Sequence, residues 1–141
     1  MTDRLTPERR SWNMSRIRGR DTAPERAVRS LLHRMGYRFR LHSRSLPGSP
    51  DLVLPRYRTV ILVNGCFWHQ HRGCPFAYVP KTRVEFWKEK LRKNEERDRR
   101  TVRELCDLGW RVLTVWECET RELDGLAKRL DDALENAIRN L

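Results

Sequence analysis

The chain lacks what membrane and exported proteins need. No run among its 141 residues stays apolar for the roughly 20 residues that a spanning helix takes, and the opening MTDRLTPERR has no apolar signal core. Insertion and export are therefore not expected, which leaves a cytoplasmic protein with no membrane partner. Cysteine is scarce: the four thiols stand at 66, 74, 106 and 118. In a reducing compartment they are better explained as metal ligands or packed thiols than as disulfides. Internal repeats and low-complexity tracts are absent, and the length suits one domain, 1–141, around one core.

Acidic charge is also in short supply. Thirty Lys plus Arg against nineteen Asp plus Glu leave a net charge of +11. The excess is regional: residues 1–50 hold twelve bases and four acids, whereas residues 117–141 hold four and seven. One basic face is the consequence, and its natural partner is a polyanion, because neutralised phosphates release counterions. Nucleic acid is the leading candidate; a merely soluble basic protein is the alternative.

Periodicity supplies the elements. DTAPERAVRSLLHRMG has capping-box spacing at Thr22 and Glu25, Pro24 in the first turn, and an apolar face before Gly36, and so predicts a helix. YRFRLHS alternates as a half-buried strand does, DLVLP is a second short strand, and YRTVILV suits a central strand. Thr82 to Leu108 is helical in pattern, although Asn94 and Asp98 interrupt its apolar stripe. WRVLTVW reads as another buried strand and Leu123 to Leu141 as a last amphipathic helix. The order implies an α/β sandwich, a mixed sheet with helices on both sides.

The chemistry concentrates in NGCFWHQHRGCP, residues 64–75. Cys66, His71 and Cys74 form a C-x4-H-x2-C array, and Cys118 follows a strand that can deliver it as a fourth ligand. Three thiolates and an imidazole make a closed tetrahedral Zn2+ site; unligated thiols are the plainer reading. Cys106 stands outside the set and is expected to pack as a small thiol. His69 is then free for proton transfer, or is simply structural or exposed. Asp51 begins the strand beside the one ending at Asn64, so a carboxylate and an imidazole can share one rim. Phosphodiester hydrolysis calls for that pairing, with Asp51 holding Mg2+. Phe67 and Trp68 are hard to bury in a metal-pinned loop and are expected to stack on bases; Trp87 divides evenly between core and DNA.

NMSRIRGRDTAPE, LPGSPDLVLPRYRTVILVNGCFWHQH, FWKEKLRKNEERDRR and LGWRVLTVWEC, in that order over roughly residues 11–120, resemble the very short patch repair endonucleases. These form a branch of the restriction-endonuclease-like nucleases. The resemblance implies a three-layer α/β/α fold with a structural zinc, and a strand-specific nick in duplex DNA at a T:G mismatch arising from 5-methylcytosine deamination. It makes Asp51 the Mg2+ ligand together with the Val63 backbone carbonyl, His69 the catalytic histidine, and Asp98 the group that orients it. Glu25 would contact metal-bound water. Zn2+ falls to Cys66, His71, Cys74 and Cys118, and Phe67, Trp68 and Trp87 would intercalate. Met14 belongs to a basic segment, residues 1–20, that clamps the other groove. This chain departs from the pattern at Asn64, where some members carry a histidine assigned to acid-base chemistry, and by one added residue between His71 and Cys74. A mismatch lacks two-fold symmetry, so a monomer is expected, with mismatch-repair proteins as accessory partners. Two alternatives share these residues: a nuclease of restriction or defence, and an inactive zinc-stabilised DNA-binding protein.

Overall fold

The computed structural model describes residues 21–139. Its first helix, α1 (Ala23–Arg34), starts at Thr22, whose hydroxyl accepts from the Glu25 backbone N–H at 3.3 Å. The second half of the anticipated capping box does not form. Glu25 instead accepts the backbone N–H of Asp21, because its carboxylate is turned inward among other partners.

Four strands follow as β1 (Arg40–Leu41), β2 (Leu52–Leu54), β3 (Thr59–Asn64) and β4 (Arg111–Trp116), arranged in that order across one sheet. The β1–β2 and β2–β3 pairs are antiparallel and β3–β4 is parallel, so the sheet is mixed. The strand expected over YRFRLHS shrinks to two residues. Tyr37 still belongs to the helix end, its N–H bonding Leu32, and His42 leaves the strand at a φ of 47°. Tyr57 lies in a short 3-10 turn, Pro55–Tyr57, and β3 starts only at Thr59. β4 is less buried than anticipated: of its residues only Val115 is fully enclosed. The reason is its place at the end of the sheet among the described residues, where β3 covers one edge alone.

The long helix α2 (Val84–Asp107) and the last helix α3 (Leu123–Arg139) complete three layers. Val28, Leu31 and Leu32 of α1 and Leu126, Leu130 and Leu134 of α3 pack on one sheet face, against Leu52, Leu54, Ile61 and Val115. Leu105 of α2 packs on the other face against Val53 and Val60, the alternate residues of the same strands. Gly109 ends the long-helix region at a φ of 91°, a conformation that favours glycine. Cys106, expected to be packed, is exposed on α2, since the stripe that faces the sheet passes through Leu105. No helix among the described residues is long and apolar enough to cross a membrane.

Candidate active site

Asp51 precedes β2, and two backbone bonds fix its position. Its carbonyl accepts from the His42 N–H at 3.1 Å, and its carboxylate accepts from the Val63 N–H of β3 at 2.7 Å. Burial pushes the Asp51 carboxyl up to about 7; the Val63 N–H works against this, and the neighbouring Glu25 charge adds to it.

Glu25, only 1% exposed, lies beside Asp51, and the two carboxyls act directly on one another. His42 Nε2 stands 3.0 Å from each Glu25 oxygen, and the Arg29 guanidinium pairs with both Glu25 and Asp21. Burial alone would raise Glu25, but Arg29 and His42 outweigh it and hold the carboxyl below its ordinary value. Two adjacent acids are thereby pushed apart: Glu25 keeps its charge and Asp51 is reluctant to take one. Sequence reasoning missed both Arg29 and His42. Arg29 stands four residues after Glu25, a spacing that was available as a signal. For His42 no local signal exists, since its partner comes from another element.

Beyond β3 the chain winds tightly. The His69 N–H bonds Gly65, the His71 N–H bonds Cys66 and the Cys74 N–H bonds His71, with Gln70 at a φ of 49°. This winding gives the two imidazoles different neighbours. His69 meets α2, where Nδ1 lies 2.6 Å from Asp98 Oδ2. Asn94, one turn earlier on that helix, donates to the Trp68 carbonyl at 3.2 Å. The two polar residues that break the apolar stripe of α2 thus both anchor the loop.

His71 lies flat on Trp116, with ring centroids 4.2 Å apart and planes 8° from parallel. Its Nδ1 is 3.7 Å from Cys66 Sγ and 3.5 Å from Cys118 Sγ. The ligand atoms of Cys66, His71, Cys74 and Cys118 all lie within 4.8 Å of one another. A tetrahedral zinc with Zn–S bonds of about 2.3 Å spaces its ligands roughly 3.5–3.8 Å apart, so the set fits the ion. Between His71 and Cys74 the chain turns at Gly73, at a φ of 72°. Burial pushes the Cys66 thiol up to about 12, with the Cys118 and Cys74 thiols adding to it and the Cys118 N–H opposing. A cation is what such a cluster requires to ionise.

Asn64, His69, Asp98, Arg99 and Thr114 are among the residues lining an open pocket of about 580 Å³. Asn64, the last residue of β3, pairs in register with Trp116. Beside the loop, half-buried Phe67, Trp68 and Trp87 form one aromatic group with ring centroids 5.0 to 6.0 Å apart. Two further aromatics, missed from the sequence, extend it: Tyr78, 60% exposed, lies 5.1 Å from Phe67, and Phe86, 46% exposed, lies 5.4 Å from Trp87. Arg83 sits over the Phe86 ring at 4.3 Å. Met14 and the basic segment 1–20 lie outside the described residues.

Comparison with known proteins agrees with this picture. The catalytic domain of the homing endonuclease I-Bth0305I superposes with a TM-score of 0.57 at 23% identity, over 84% of this chain and 99% of that one. The fold is accordingly the three-layer, restriction-endonuclease-like one. The DNA mismatch endonuclease Vsr family model matches residues 2–74. The type II nicking enzyme V.XorIIP of Xanthomonas oryzae is 51% identical over 96% of this chain and 98% of its own. The DNA mismatch endonuclease Vsr of Escherichia coli is 52% identical over 92% of this chain and 80% of its own. On the family match and these near-full-length relatives, the chain belongs to the Vsr family of DNA mismatch endonucleases.

Proposed function

We propose that the protein nicks one strand of duplex DNA at T:G mismatches left by 5-methylcytosine deamination, hydrolysing a single phosphodiester with Mg2+. One juxtaposition carries the reading. The His69 imidazole, tied to Asp98 at 2.6 Å, sits on the turn that starts where β3 anchors the half-buried Asp51. An ionised Asp98 accepts the His69 Nδ1 proton, which fixes the tautomer and leaves Nε2 to take a proton from water or give one to the leaving oxygen.

Asp51 and the Val63 carbonyl are hard oxygen donors of the kind Mg2+ prefers, with Glu25 placed to meet a water of the ion. Mg2+, when bound there, offsets charge on the scissile phosphate. Cys66, His71, Cys74 and Cys118 hold Zn2+ in a closed, structural site that fixes the loop carrying His69. Asn64 lacks a titratable nitrogen and serves the pocket by hydrogen bonding alone, so His69 carries the proton transfer.

Phe67, Trp68 and Trp87 enter the base stack, where a mismatched step is cheaper to open than a paired one. The whole chain works as one endonuclease domain and as a monomer in the cytoplasm, with residues 1–20 and Met14 clamping the opposite groove. Mismatch-repair proteins are its accessory partners. Relatives named as type II nicking enzymes favour a second reading, one-strand cutting in restriction or defence.

Strand-resolved nicking of duplexes with one T:G mismatch or its paired control, in Mg2+ or EDTA, separates the readings. A Mg2+-dependent nick beside the mismatched T alone is expected. Equal cutting of the control would favour the restriction reading, and binding without cutting would reduce the protein to a zinc-stabilised DNA binder.

A further inference from the structure

His42 touches both acids of the site through different atoms. Its ring Nε2 stands 3.0 Å from each oxygen of Glu25, and its backbone N–H donates to the Asp51 carbonyl at 3.1 Å. It does so at a φ of 47°, a region that side chains other than glycine enter rarely and keep only where the surroundings hold them. The ring is itself mostly enclosed, 16% exposed, against a Glu25 side chain 1% exposed. On the far side of Glu25, Arg29 bridges to Asp21. Asp21, Glu25 and His42 are close enough to suggest a second metal cluster. The guanidinium already supplies a fixed positive charge to the two carboxylates of that group.

We infer that His42 is a positioning residue, which clamps Glu25 against Asp51 so that the two carboxylates are set in advance for one divalent cation. The inference rests on the reading of Asp51 as a metal-holding carboxylate. Besides the Asp21 N–H and its contact with Asp51, Glu25 is drawn by two charged or ring partners: Arg29, at i,i+4 along its own helix, and His42, which meets both of its oxygens. With the imidazole gone, only the contact with the Asp51 carboxyl itself opposes the guanidinium from that side, and a metal that ionises Asp51 removes that contact, so the two carboxylates repel. A divalent ion would then meet a site it must first assemble. Arg29 meanwhile limits the site to one added cation, because a second ion at Asp21 and Glu25 would have to displace a paired guanidinium.

Mn2+ is the direct probe, its free concentration read by electron paramagnetic resonance with wild type, His42→Ala, His42→Gln and Asp51→Asn, each bound to a T:G duplex. Metal partners of this kind change affinity by about 10- to 100-fold, so His42→Ala should weaken Mn2+ binding at least about tenfold and raise the half-saturating Mg2+ for nicking in parallel. His42→Gln keeps an N–H donor at similar reach and should recover most of the loss. Circular dichroism in EDTA reports whether each variant is folded; if His42→Ala is not, His42→Phe, which fills the space without an N–H donor, takes its place and should show the same loss. Unchanged Mn2+ affinity in folded His42→Ala, or equal losses in the Ala and Gln variants, would overturn the clamp. Mn2+ binding indifferent to Asp51→Asn would overturn the metal assignment beneath it. Wild type that binds Mn2+ yet leaves the T:G duplex intact would sink the mismatch reading while the variant comparison still stands.

Discussion

His69 and His71 occupy the same turn of chain, two residues apart, and face different chemistry. His71 lies on Trp116 among three thiols, a soft environment that fits a metal. His69 faces Asp98 in an open pocket that also holds Asn64. The carboxylate region differs again: Asp51 and Glu25 are hard donors, with burial raising Asp51 while Arg29 and His42 hold Glu25 down. One loop thus gives its two imidazoles different partners, thiols for His71 and a carboxylate for His69. Residue identity alone would not tell the two imidazoles apart.

Removing the hard side should have the largest effect. Asp51→Ala is expected to lower the nicking rate by about a thousandfold or more, the scale of several kcal/mol of charge stabilisation, with mismatch binding in EDTA retained. Retained cutting in a strand-resolved assay would remove Asp51 from the reaction. Removing the soft side should act through folding instead. Cys118→Ser is expected to lose most of its zinc and melt roughly ten degrees lower, with activity falling only as the folded fraction falls. Wild-type zinc content by atomic absorption would break the ligand set.

The third effect concerns pH. The Asp51 carboxyl is near 7 when folded and near the ordinary 3.8 when unfolded. Its contribution to the metal-free fold is therefore full below about 4 and is lost as pH rises through about 7. Asp51→Asn, which cannot ionise, should raise the melting temperature in EDTA at pH 8 by roughly 3 °C or more and change it little at pH 4. Equal shifts at both values would mean that burial does not hold the proton on Asp51. The smallest effect belongs to the aromatics. Trp68→Ala should cost about five- to tenfold in preference for T:G over paired duplex, and Tyr78→Ala about two- to threefold, on the scale of stacking one base. Equal losses on both duplexes, measured by titration, would reduce these rings to packing.

The helices were legible because caps and stripes are local: Thr22, Pro24 and Gly109 mark their ends whatever the rest of the chain does. The cluster of one histidine and three cysteines was legible from spacing, since Cys66, His71 and Cys74 lie in one short segment and Cys118 follows a strand. Asn94 and Asp98 announced themselves as breaks in an apolar stripe, but their partners lie more than twenty residues away; the family resemblance supplied His69 for Asp98, and Trp68 for Asn94 emerged only in the structure. The edge position of β4 was not written in WRVLTVW, because strand order is a property of the whole sheet. His42 was hidden for a related reason. Its role depends on a left-handed backbone turn and on Glu25 from another element, and neither leaves a periodic mark. Tyr78 and Phe86 are apolar letters that a sequence cannot sort into core and surface.

The division of labour within the loop can be tested with the paired variants His69→Gln and His71→Gln, with zinc content and nicking rate measured on each. His69→Gln should keep its zinc and its melting temperature and lose about 10²- to 10⁴-fold in rate, the usual share of a general acid-base group. His71→Gln should lose zinc and stability together. Zinc lost from His69→Gln, or wild-type zinc and folding in His71→Gln, would contradict the account.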